Sequence, residues 1–136
     1  MKLHHIIESQ QFDTQTLEDL FMKADSFQNG HVDKCLEGKI LCSLFYEPST
    51  RTRLSHESAM IRLGGEVIGT EAAGMFSSAA KGETISDTIR TIQHYCDTIV
   101  LRSSDDKAAN IAAAVSDIPI INAGCGSQGQ HPTQAL

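Results

Sequence analysis

The run "FYEPSTRTRLSHESAM", Phe45 to Met60, places Ser49, Thr50, Arg51, Thr52 and Arg53 between an apolar segment and a helical pattern. The free N–H groups of a helix's first turn point outward and carry partial positive charge, so they hold an anion. Three hydroxyls add donors, and a guanidinium fork matches two phosphate oxygens. One charge-assisted hydrogen bond is worth about 1.5–3 kcal/mol; several together reach micromolar affinity, about −8 kcal/mol. The chemistry suggested is phosphate binding. Three further segments carry suitable groups: Ser77, Ser78 and Lys81; Arg102; and His131 with Gln134. Taken singly, each has a plainer explanation. Ser and Thr cap helices, and Lys81, Arg102 and His131 suit solvated loops and strand ends.

What brings them together is the order of the elements. Asp13-Thr14 open an amphipathic surface helix through Leu17, Leu20, Phe21 and Ala24, with an acidic first turn, ended by Gln28-Asn29-Gly30. Lys39–Tyr46 is a short apolar run of the kind buried on both faces of a parallel sheet. A helix follows over Thr50–Leu63, apolar over enough of its girth to pack on more than one side. "EVIGT" is a second strand and "AAGMFSSAAKGE" a small, Gly- and Ser-rich loop. Thr84 and Asp87 form a capping box before Ile85, Ile89, Ile92 and Cys96, which share one helix face. Thr98–Arg102 is a third strand, and Asp105-Asp106 open a helix through Ala109, Ile111, Ala112 and Val115. "PIINAG" is a fourth strand, "CGSQGQ" a loop and "HPTQAL" a helix start with Pro132 in its first turn.

This alternation predicts an α/β fold: a single three-layer domain over residues 1–136, a parallel sheet of about four strands, and helices on both faces. Ligands of such sheets bind beyond the carboxyl ends of the strands. Every hydroxyl and cation named above follows a strand, so four separate segments converge on one edge.

With 136 residues and 40% hydrophobic content the chain is long and apolar enough for one core. A net charge of −6 and a pI near 5.4 exclude broad nucleic-acid binding, though not a small basic pocket. No run approaches the length that spans a membrane. Cys35, Cys42, Cys96 and Cys125 lack zinc or C-x-x-C spacing and read as reduced thiols. Cys125 sits in the Gly-rich loop beside the supposed site. A cytoplasmic location is expected.

The segments "FYEPSTRTRLSHESAMIRLGGEVIG", "KGETISDTI", "IVLR" and "NAGCGSQGQHPTQAL" closely resemble the amino-terminal, carbamoyl-phosphate-binding domain of the aspartate carbamoyltransferase family. S-T-R-T and H-P-x-Q are shared with ornithine carbamoyltransferases; the longer first run, K-G-E-T and H-P-T-Q-A-L favour the aspartate family. The resemblance implies that Ser49, Thr50, Arg51 and Thr52 hold the phosphate. It puts Arg102, His131 and the Thr52 hydroxyl at the carbamoyl oxygen, and Gln134 with the Pro132 carbonyl at the carbamoyl amide. Lys81 and Ser78, or Ser77 in its place, would reach a neighbouring subunit's site in a homotrimer. Glu47 would pair across two domains as they close. Two residues depart from the family pattern: His56, where Phe is usual, and Cys125, where Asp or Gly is common. The loop before His131 is slightly long.

The implied reaction joins carbamoyl phosphate and L-aspartate into N-carbamoyl-L-aspartate and phosphate, a step of pyrimidine synthesis. An amine attacks a carbonyl and phosphate departs, so positioned donors and cations suffice; no cofactor, metal or protein nucleophile is implied. The family's aspartate-binding domain has no counterpart in this sequence, so an isolated first domain, inactive alone, is expected. A regulatory chain is left open. Two other readings stand beside this one: the domain of an ornithine or other carbamoyltransferase, and a non-catalytic phosphate-binding or assembly module.

Overall fold

The computed structural model describes residues 4–30, 32–70, 82–127 and 130–135. Its centre is a four-stranded parallel sheet. Strand β1 is Ile40–Phe45, β2 Glu66–Thr70, β3 Thr98–Ser103 and β4 Ile120–Cys125, in the spatial order β2-β1-β3-β4. The chain therefore leaves β1 to one side for β2 and returns to its other side for β3. That reversal creates a crevice at the carboxyl ends of β1 and β3, where open α/β sheets bind ligands.

Alternation along the central strands gives each sheet face its own core. Cys42, Leu44, Ile99 and Leu101 pack with Ile89 of helix α3 (Ile85–Ile92) and Ala108, Ala109 and Ala112 of α4 (Ala108–Val115). Leu41, Phe45 and Val100 face the other way, onto Met60 of α2 (Thr50–Arg62). The small alanines let α4 lie close on the sheet. Helix α1 (Thr14–Gln28) buries none of its residues, and α5 (Pro132–Ala135) closes the described chain beside β4. The expected α/β layering and the four parallel strands are thus present.

Several details differ from expectation. Helix α1 has no carboxylate in its first turn; Asp13 instead precedes it as the cap, accepting from Thr16 N at 2.8 Å. Helix α2 buries only Met60, while Leu54 and Ile61 are 59% and 61% exposed, so it packs on one side in this chain. Helix α3 ends at Ile92; Cys96 lies past it, in the turn before β3, yet still touches the core. Asp105 lies in the turn before α4 rather than within it, its Oδ1 accepting from Lys107 N at 2.9 Å. Cys125 is fully buried as the last residue of β4, not in the loop. Burial pushes its thiol up to about 11.

One element escaped the sequence reading. Ile6 bridges Ile121 in parallel, and Ile6 N donates to Ile120 O while Asn122 N donates to Ile6 O, both at 2.8 Å. The buried Asn122 amide donates to Ile7 O at 2.8 Å. The amino-terminal segment thereby covers the β4 edge, which would otherwise expose unpaired backbone.

Gly69 sits opposite Ser43 in the β1–β2 ladder, and a Cβ there would collide with the Ser43 carbonyl. Overpacking of this kind costs about 1–3 kcal/mol. Gly69→Ala is therefore expected to lower unfolding free energy by that amount in urea denaturation; an unchanged midpoint would refute the close approach.

Candidate functional site

A cavity of about 640 Å³ opens at the reversal point and is lined by Ser49, Thr50, Arg51, Thr52, Ser55, His56, Arg102, His131, Thr133 and Gln134. Three strand ends contribute. The turn after β1 leads into α2, whose first residues are Thr50, Arg51 and Thr52. The Ser49 carbonyl accepts from Arg53 N at 3.1 Å, which starts the helix. The Ser49 side chain makes no capping bond, and no acidic residue stands in the first turn. This separates an anion site from ordinary capping. The first-turn N–H groups have no side-chain oxygen or carboxylate of their own helix to satisfy them, so an anion meets no local competitor.

Arg102 is held at both ends of its guanidinium. Nε donates to Glu47 Oε1 at 2.8 Å and Nη1 donates to Ala123 O at 3.1 Å. The carbonyl is available because β4 carries a bulge here. Leu101 pairs with Asn122 but Ser103 pairs with Cys125, so Ala123 and Gly124 together oppose Arg102. Bulges turn side chains and recur beside ligand sites. Gly124 has φ of 100°, and a Cβ there would lie 2.9 Å from Arg102 Nη1 and 3.3 Å from His131 Cδ2. Only glycine lets the guanidinium and the imidazole approach so closely. Sequence reasoning missed this residue, although paired glycines at a strand end are a bulge signal.

His131 caps α5, its carbonyl accepting from Gln134 N at 2.9 Å. Its Nε2 lies 3.5 Å from Thr52 Oγ1, which links the β4 side of the pocket to α2. Burial, then His56 and Arg102, hold its pKa below the ordinary histidine value. The ring is accordingly neutral near pH 7, able to donate from one nitrogen and accept at the other.

Of the expected site residues, the fold brings Ser49, Thr50, Arg51, Thr52, Arg102, His131 and Gln134 to one cavity. Glu47 stands beside it, paired with Arg102 within this chain. Lys81, Ser77 and Ser78 lie outside the described residues. His56, Ser55 and Thr133 join the wall without having been expected there. His56 had been noted only as a departure, and its helical position one turn past Thr52 was the available signal.

Since Arg102 opposes the protonation of His131, Arg102→Met is expected to raise the His131 midpoint. Proton NMR titration of the ring C–H resonances measures it. A midpoint that stays put or falls would show that the two groups are not coupled.

Residues 4–136 match the aspartate/ornithine carbamoyltransferase, carbamoyl-P binding domain family. Aspartate carbamoyltransferase 1, chloroplastic, of Pisum sativum is 56% identical, over 99% of this chain and 36% of its own length. The catalytic subunit of M. jannaschii aspartate transcarbamoylase superposes with a TM-score of 0.85 at 46% identity, over 97% of this chain and 44% of that one. Aspartate transcarbamoylase from Trypanosoma cruzi, solved with carbamoyl aspartate and phosphate, gives 0.86 at 41% identity, over 96% and 43%. The chain thus spans about two-fifths of the length of these relatives. By sequence and by fold, it belongs to the aspartate/ornithine carbamoyltransferase family, as its carbamoyl-phosphate-binding domain.

Proposed function

We propose that this chain is the carbamoyl-phosphate-binding half of an aspartate carbamoyltransferase, which transfers a carbamoyl group to L-aspartate in pyrimidine synthesis. The observation that carries the reading is the uncapped start of α2 facing Arg102 and His131 across one cavity. Identity above 40% to proteins named for that activity supports it.

Mechanistically, the phosphate sits on the α2 N-terminus, with Ser49, Thr50 and Thr52 hydroxyls and the Arg51 guanidinium around it. Concentrated donors stabilise phosphate as it departs. The carbamoyl carbonyl points toward Arg102, His131 and the Thr52 hydroxyl. As an amine attacks that carbon, charge grows on the oxygen, and the Arg102 guanidinium, already fixed there, stabilises it without reorganising. Glu47 and the Ala123 carbonyl serve this purpose by immobilising Arg102. Gln134 and the Pro132 carbonyl bind the carbamoyl amide. Attack breaks the bond from carbon to the phosphate oxygen, forms the carbon–nitrogen bond, and releases the amine's proton.

L-aspartate is taken up by the part of the relatives' length that this chain does not span, so transfer requires that part. Lys81 and Ser78, or Ser77, are assigned to a neighbouring subunit's pocket in a homotrimer. A regulatory chain is compatible with this assembly. The free Cys35, Cys42, Cys96 and Cys125 support a reducing compartment, of which we propose the cytoplasm.

Calorimetric titration of the chain with carbamoyl phosphate is expected to give saturable binding, competed by inorganic phosphate. Arg51→Ala should weaken it at least tenfold, about 1.4 kcal/mol. Absence of binding to folded protein, or equal affinity in the variant, would remove the phosphate from the α2 turn.

A further inference from the structure

Thr133 stands between two histidines. Its Oγ1 lies 3.2 Å from His131 Nδ1 and 3.5 Å from His56 Nε2. His56 Nδ1 lies 2.8 Å from the Thr52 carbonyl oxygen, and His131 Nε2 lies 3.5 Å from Thr52 Oγ1. The four contacts form a ring that runs from Thr52 through His131, Thr133 and His56 back to Thr52.

The shortest contact fixes a direction for all of them. A carbonyl oxygen only accepts, so the hydrogen of His56 is on Nδ1. With the ring neutral, His56 Nε2 is bare and accepts from the Thr133 hydroxyl. That hydrogen being spent, Thr133 Oγ1 accepts from His131, whose hydrogen is therefore on Nδ1. His131 Nε2 is then bare and accepts from the Thr52 hydroxyl. With both imidazoles neutral, this arrangement alone satisfies all four contacts. We propose that His56, acting through Thr133, is a positioning residue that holds the resting His131 in its Nδ1–H form, with a bare Nε2 at the pocket wall.

The consequence bears on ligand binding, and this part rests on the function proposed above. In the resting ring the Thr52 hydrogen is drawn to His131, and His131 Nε2 has none to give. Neither group then donates to a carbonyl oxygen in the cavity. Binding one leaves the His56 Nδ1 hydrogen on the Thr52 carbonyl and changes the other contacts: Thr133 turns its hydrogen to His131 Nδ1, which loses its own to solvent while Nε2 takes one up. The proton count of His131 is unchanged. The half-buried His56 Nε2 is left to water. His56 thus biases the empty pocket toward accepting and makes ligand entry select the donating form.

The test needs no ligand. Histidine is labelled with 15N and the two-bond 1H–15N pattern of His131 is recorded well above the histidine titration range. In the wild-type chain Nδ1 is expected in the protonated range and Nε2 in the bare range. His56→Phe removes the acceptor, and the pattern should shift toward Nε2–H, the form an unconstrained imidazole prefers. His56→Gln, whose amide oxygen can still accept from Thr133, should restore the wild-type pattern. Thr133→Val should shift it as His56→Phe does, and stands in should the Phe variant not fold. A wild-type His131 that already carries hydrogen on Nε2, or a pattern indifferent to His56→Phe, overturns the proposal. Failure of the chain to bind carbamoyl phosphate would count against the proposed function and leave this tautomer assignment intact.

Discussion

Arg102 is the tie on which the pocket depends. Its guanidinium joins three strand ends: the Glu47 carboxylate after β1, its own position in β3, and the Ala123 carbonyl in the β4 bulge. A guanidinium stays charged, and its planar fork fits two acceptors set at fixed angles. Both it and Glu47 are partly exposed, so the pair contributes little to stability. Its importance is geometric. With two donors committed, the cation is aimed rather than free to swing, and a positioned cation is what developing negative charge requires.

The sheet supplies the other half of that geometry. Parallel pairing points all four carboxyl ends the same way, and reversal of the chain across β1 opens a gap between the connections of β1 and β3. Into that gap α2 directs its first turn. The proposed anion site is consistent with an acidic chain, because the local field there comes from oriented backbone and a few guanidinium and hydroxyl groups rather than from net charge. Two cores, one on each sheet face, keep these ends in register. Slippage of one residue in β1 would exchange Leu44 with Phe45 and move the α2 turn off the crevice.

The pocket wall also mixes rigid and reversible parts. Arg102, which can only donate, is fixed by Glu47 and the Ala123 carbonyl. The Thr52 and Thr133 hydroxyls and the His131 imidazole can exchange donor and acceptor roles, whereas the His56 Nδ1 hydrogen stays on the Thr52 carbonyl. Such groups adapt to acceptor or donor at small cost. On the tautomer proposed above, His56 sets the polarity of the empty cavity through Thr133.

The sequence by itself determined the strands, the main helices and the turn residues that line the cavity. Those features are local: apolar runs of strand length, helical spacing, and a Ser-Thr-Arg-Thr segment at the point where one period gives way to the other. It also determined that Ser49 to Thr52, Arg102, His131 and Gln134 follow or end strands, hence that they share an edge. Tertiary structure alone decided the rest. That Glu47 holds Arg102, that Gly124 must lack a side chain, that Ile6 pairs with Ile121, and that His56 meets Thr133 are contacts between residues far apart in the chain. Cys125 was misplaced, and α4 was begun too early, because a bulge and a cap shift boundaries by a residue or two without altering composition. Periodicity reports which face a residue occupies; it carries no information about which distant residue that face will meet, since that is set by strand order and register.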